Sequence, residues 1–187
     1  GELLVAGPLA PELLSRLMGV PEPSKLLDAT AASIAGCEIV ARRVEYAGPS
    51  SFFLQTAQAD LPTVKSAFLD AGGIYCDAAP VEARGLEPGF PLFGRDINDD
   101  NLPQEVGRDT KAISFTKGCY LGQETIARID ALGHVNRVLV GLKFAGAEPP
   151  PAGTPLQAAG KVVGQTASAA WSPRLNAPLA LGYIRRV

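Results

Sequence analysis

Apolar and polar positions first alternate over short stretches and then move to helical spacing. Leu3 to Ala6 reads as a short buried strand, and Gly7-Pro8-Leu9-Ala10-Pro11 places both prolines where a first helical turn tolerates them. A helix is predicted from about Leu9 to Met18. Leu9, Leu13, Leu14 and Leu17 fall on one face, and Gly19, Pro21 and Pro23 stop it, leaving 19–25 as a loop. Cys37 to Tyr46 and Ser51 to Ala57 predict two strands joined as a hairpin through Ala47-Gly48-Pro49-Ser50. Asp60 is placed to cap a helix that begins Leu61-Pro62, carries Val64, Ala67, Phe68 and Ala71 at helical spacing and ends at Gly72-Gly73. These elements predict an α+β half-domain.

The pattern then loses its period. From Ile74 to Ser114 the chain is punctuated by Pro80, Pro88, Gly89, Pro91, Gly94, Pro103 and Gly107 and is predicted to be an irregular, functional loop region. Gln123 to Leu132 predicts a helix with Ile126 and Ile129 inward, a Glu124 to Arg128 pair outward and Gly133 just past the end. Arg137 to Phe144, Thr154 to Gln157, Lys161 to Ala170 and Leu179 to Arg185 are short β-type runs between Pro and Gly clusters, as in a small barrel or sandwich. The boundary is placed near 134–136.

Composition narrows the class. With 187 residues, 47% of them apolar, 17 basic against 19 acidic and a net charge of −2, the chain suits one soluble globular domain, or one with a small appendage. The near-neutral balance argues against strong direct nucleic-acid binding. Three cysteines, Cys37, Cys76 and Cys119, lie 39 and 43 positions apart, which suggests neither a disulfide framework nor a paired-cysteine metal site. A reducing, cytoplasmic setting is the expectation. No apolar run suits a membrane span, no signal peptide is visible, and a chain opening on Gly1 and Glu2 reads as lacking its true start. Oligomeric state is unreadable.

The richest stretch is Lys117-Gly118-Cys119-Tyr120-Leu121-Gly122-Gln123-Glu124. A cation two residues away and a helix start just beyond both favour a thiolate, so Cys119 is the best candidate for a reactive thiol or a soft-metal ligand. The competing reading is a buried structural cysteine. Gly118 and Gly122 allow unusual backbone angles or close approach of a ligand, or simply form the turn. Tyr120 reads by itself as a packing residue and Glu124 as a helix partner of Arg128. His134 reads as a helix-exit residue, Trp171 as a barrel-core or interdomain residue, and Asp96 as a turn cap in preference to lining a pocket with Glu87. No metal site is expected.

This octapeptide resembles the signature of the YgfZ family, folate-binding iron-sulfur maintenance proteins that are similar to the T-protein of the glycine cleavage system. Gly7-Pro8-Leu9-Ala10, the run Leu86-Glu87-Pro88-Gly89-Phe90-Pro91-Leu92-Phe93-Gly94-Arg95-Asp96, Leu102-Pro103-Gln104-Glu105 and Gly133-His134-Val135-Asn136-Arg137 resemble other parts of that family. The family's usual arginine two positions before the glutamate is replaced by Gly85, with Arg84 one earlier, and Val81 stands where some members have a folate-stacking tryptophan.

The resemblance implies an α+β fold: part of a duplicated ferredoxin-like folate-binding domain over 1–134, then a small antiparallel β-barrel over 135–187, truncated at the N-terminus. It implies tetrahydrofolate or a derivative as cofactor, with Glu87, Arg84, Tyr120, Gln123 and Glu124 as folate contacts and Cys119 and Lys117 as reacting groups. The paired donors of a pterin's amino-pyrimidinone edge suit the two acceptors of the Glu87 carboxylate. Arg84 and Arg95 suit a folate glutamate tail, or the plain surface. The implied function is support of iron-sulfur cluster assembly or repair in client enzymes, including radical enzymes that modify tRNA, with those clients or assembly proteins as partners. Whether a reaction is catalysed stays open. The alternative is a tetrahydrofolate-dependent aminomethyltransferase of glycine-cleavage type, against which the octapeptide is taken to discriminate. A third reading is an inactive remnant.

Overall fold

The structure is a computed structural model that describes residues 1–186. It divides into two compact units, Gly1–Phe90 and the chain from Pro91 onward.

The first unit is an antiparallel sheet of β1 (Glu2–Ala6), β2 (Ala29–Ile34), β3 (Cys37–Val44) and β4 (Ser51–Thr56), in the order β1-β4-β3-β2. Register places Val5 opposite Phe52, Leu3 opposite Leu54 and Ala41 opposite Leu54, so one face collects these apolar residues. The helices α1 (Ala10–Met18) and α2 (Leu61–Asp70) supply Leu14, Met18, Val64 and Phe68 to the same core, where Leu14, Phe52, Leu54 and Val64 are completely buried. Ser51 closes the predicted hairpin from inside: its buried hydroxyl lies 3.0 Å from the Val44 carbonyl and 2.6 Å from that of Gly48.

Several expectations are corrected. Leu9 is the residue before α1, 69% exposed, and the buried stripe is instead Ala10, Leu14 and Met18. Asp60 stands at the N-cap of α2 without a side-chain capping bond. Strand β2, of sequence Ala-Thr-Ala-Ala-Ser-Ile, was not predicted, because small residues carry little β signal; pairing with β3 makes it a strand. The region 74–114 is more regular than its Pro and Gly content predicts. It holds α3 (Ala78–Leu86), a 3-10 turn at Pro103–Val106 and the short α4 (Asp109–Ala112). Pro80 falls in the first turn of α3, where a missing N–H costs no helical bond.

The second unit carries α5 (Gln123–Leu132) and a second antiparallel sheet of β5 (Arg137–Lys143), β6 (Pro155–Ala158), β7 (Lys161–Ser172) and β8 (Ala177–Arg185), in the order β5-β8-β7-β6. The four β-type runs are thus present close to their expected places. Bulges fall between Leu156 and Gln157 and between Thr166 and Ala169. At Gly164 the neighbouring strand comes so close that a Cβ would stand 1.9 Å from the Tyr183 carbonyl oxygen, so only glycine fits. The α+β class with two antiparallel sheets agrees with expectation.

Candidate functional site

In the first unit, α3 ends in a charged pair. Arg84 lies in its last turn, where a cation complements the carbonyl end of the helix, and Glu87 is the residue that closes it. Arg84 Nη1 donates to Glu87 Oε2 at 2.5 Å; the glutamate side chain is only 3% exposed and the arginine 45%. The guanidinium lies over the bare Cα of Gly48, 3.1 Å from where a Cβ would stand. The Tyr46 ring packs on Gly85, stacks with Phe53 at 6.2 Å between centroids and meets Phe90 edge-on at 5.3 Å. Glu87 is therefore a buried carboxylate paired with a guanidinium.

In the second unit, the octapeptide forms the approach to α5. Gly122 adopts the left-handed conformation (φ 85°) as the residue before the helix, a geometry that favours glycine, and the Gln123 N–H donates to the Tyr120 carbonyl at 3.2 Å. The Lys117 N–H donates to Ser114 Oγ at 3.2 Å, and its ammonium sits 4.6 Å from the Tyr120 ring centroid, a cation–π contact. Tyr120 and Gln123 are half-buried, whereas Lys117, Gly118, Cys119, Gly122 and Glu124 are exposed. Cys119 is an accessible free thiol, which sets aside the buried-cysteine reading. Among the described residues no group of three or more His, Cys, Asp or Glu can hold a metal.

Sequence reasoning missed a third cluster, also in the second unit. Glu105, in the 3-10 turn, receives Arg137 Nε on both oxygens, at 3.0 and 3.1 Å, and accepts the Leu102 N–H at 3.3 Å. The Arg137 guanidinium carbon lies 4.9 Å from the Tyr183 ring centroid, and the Tyr183 hydroxyl donates to the Asp96 carbonyl at 3.2 Å. Asp96 caps its turn as expected: the fully buried carboxylate accepts the Leu92 N–H at 2.9 Å, with Arg95 Nε 3.7 Å away. Burial pushes the Tyr183 phenol above its usual value; the charge of Glu105 adds to this, Arg137 opposes it and Asp96 adds a little more. The two motifs quoted around residues 102–105 and 133–137 contained the pair without indicating that they meet. His134 does sit at the helix exit, its Nδ1 3.2 Å from the Leu132 carbonyl.

Comparison with known proteins places the glycine cleavage T-protein among those this chain is similar to. Residues 137–187 match the family model described as the glycine cleavage T-protein C-terminal barrel domain. The chain is 30% identical over 190 residues to an aminomethyltransferase of Streptomyces avermitilis, covering 97% of this chain and 51% of that protein. It is 31% identical over 164 residues to an aminomethyltransferase of a Nostoc species, covering 87% of this chain and 43% of the relative. The solved glycine cleavage system aminomethyltransferase T from Bartonella henselae superposes with a TM-score of 0.81 at 23% identity, over 98% of this chain and 51% of that one, which shows the shared fold. The chain thus spans about half the length of the curated relatives it matches.

These findings correct the functional expectation. The iron-sulfur maintenance reading, with its client enzymes, assembly partners and tRNA-modifying enzymes, gives way to the aminomethyltransferase relationship that several relatives carry by name. The octapeptide argues locally against that relationship, and one local motif is outweighed by similarity running through nearly the whole chain. Among the described residues, no helix is long and apolar enough to cross a membrane.

Proposed function

We propose that this chain forms part of a tetrahydrofolate-dependent aminomethyltransferase, which moves a one-carbon unit from a carrier-bound amine to the folate. The observation that carries the reading is the continuous similarity to aminomethyltransferases over 97% of the chain. Glu87 is proposed as a folate contact, its carboxylate suited to the donor edge of a pterin, and Arg84, paired with it at the end of α3, as another. By resemblance Tyr120, Gln123 and Glu124 are proposed as folate contacts, Cys119 and Lys117 as reacting groups, and Gly118 and Gly122 as the glycines that shape the loop. The functional halves are proposed as 1–134 and 135–187. Kinship with the YgfZ branch rests on the octapeptide resemblance, and a reducing cytoplasmic setting is proposed from the three free cysteines.

The test uses the full-length protein that contains this chain. Tetrahydrofolate binding is measured by calorimetry, and formation of the one-carbon folate is followed with an aminomethyl donor on its carrier. Glu87→Gln is expected to weaken folate binding about tenfold to a hundredfold, the loss of a charged hydrogen-bond acceptor. A wild-type protein that neither binds tetrahydrofolate nor transfers the one-carbon unit overturns the reading.

A further inference from the structure

We infer that Gln104 and Glu105, adjacent in the 3-10 turn Pro103–Val106, are positioning residues for the octapeptide: together they link helix α5, and the cysteine loop that leads into it, through the turn to strand β5. The inference deepens the reading of that loop as functional and rests on it only for its catalytic consequence.

Three observations carry it. Gln104 Nε2 donates to the carbonyl of Ile126 at 3.0 Å, within the first turns of α5. The half-buried side of that helix is Gln123, Ile126 and Ile129, spaced to face one way, and the helix has no fully buried residue of its own. A helix with so little burial has little packing to hold it, so a side-chain bond to its backbone has a large share in fixing its place. The next residue, Glu105, is 6% exposed and bound by Arg137 of β5 through both carboxylate oxygens. Arg137 is backed by the Tyr183 ring, whose hydroxyl reaches the Asp96 carbonyl. The turn is therefore tied on one side to β5, whose Arg137 is backed by Tyr183 of β8, and on the other to α5. Since α5 begins directly after Gly122, its placement also sets the end of the loop that presents Cys119.

The experiment compares the full-length protein with Gln104→Ala, Glu105→Gln and the charge exchange Glu105→Arg with Arg137→Glu. Hydrogen exchange is read by mass spectrometry over 123–132 and over β7 and β8. A nitroxide on Cys119, in a Cys37→Ser, Cys76→Ser background, reports loop mobility by its spectral line shape. Gln104→Ala is expected to speed exchange of the α5 amides about tenfold and sharpen the nitroxide spectrum, with β7 and β8 unchanged. Glu105→Gln moves both readouts the same way, and the charge exchange returns them part of the way. Unchanged α5 exchange and line shape in Gln104→Ala overturn the inference, as does an equal acceleration throughout the sheet, which marks general loosening. These readouts need no folate and no donor, so a protein without transferase activity leaves the inference tested on its own terms.

Discussion

Glu105 and Arg137, 32 residues apart in sequence, meet through both carboxylate oxygens at 3.0 and 3.1 Å, the acid buried and the base 42% exposed. Removing the acid leaves Arg137 a route to water, whereas removing the base leaves a buried carboxylate without its cation. Glu105→Ala is therefore expected to cost about 1.5 to 3 kcal/mol, and Arg137→Ala at least as much. Urea unfolding monitored by circular dichroism measures both, and equal stability of all three proteins would refute the assignment.

Tyr183 makes alkaline stability measurable. Its folded-state proton affinity lies above the ordinary value of 10.0, chiefly through burial, so above that pH the folded state binds more protons than the unfolded one. The contribution is complete below pH 10.0 and is lost as pH rises through the folded-state value. Wild-type melting temperature should fall more steeply than that of Tyr183→Phe above that point. Parallel curves for the two proteins would show that Tyr183 is not the group responsible.

Gly164→Ala should be among the most damaging small substitutions in the second sheet. The added methyl would stand 1.9 Å from the Tyr183 carbonyl oxygen, so β7 and β8 must separate locally. A loss of about 2 kcal/mol or more is expected, together with faster exchange of the amides in the Gly164 to Thr166 pairing. A tolerant variant with native exchange would show that the strands give way more easily than their spacing indicates.

Thiol accessibility differs among the cysteines. Cys76 and Cys119 are exposed and Cys37 is half-buried in β3, so titration of this chain with a chromogenic disulfide should show two fast thiols and one slower. Cys119→Ser removes one fast equivalent. Three indistinguishable rates would argue that β3 opens freely on the timescale of labelling.

Much of the local architecture follows from residue order alone. Helical spacing with Gly19 as a stop located α1, the hairpin turn located β3 and β4, and Pro and Gly clusters divided the last third into its four strands. The octapeptide was legible because its residues are contiguous, whereas the pairing of Arg84 with Glu87 emerged only once α3 set them one turn apart. What failed locally failed for physical reasons. Strand β2 consists largely of small residues that take their form from a neighbour, α3 hides behind a proline that its first turn tolerates, and Leu9 lies one residue outside the helix whose apolar spacing it shares. Only the tertiary structure joined Glu105 to Arg137, Arg137 to Tyr183 and Gln104 to Ile126. Such contacts depend on which strand lies beside which turn, and hydrophobic periodicity determines the face of an element without determining its neighbour.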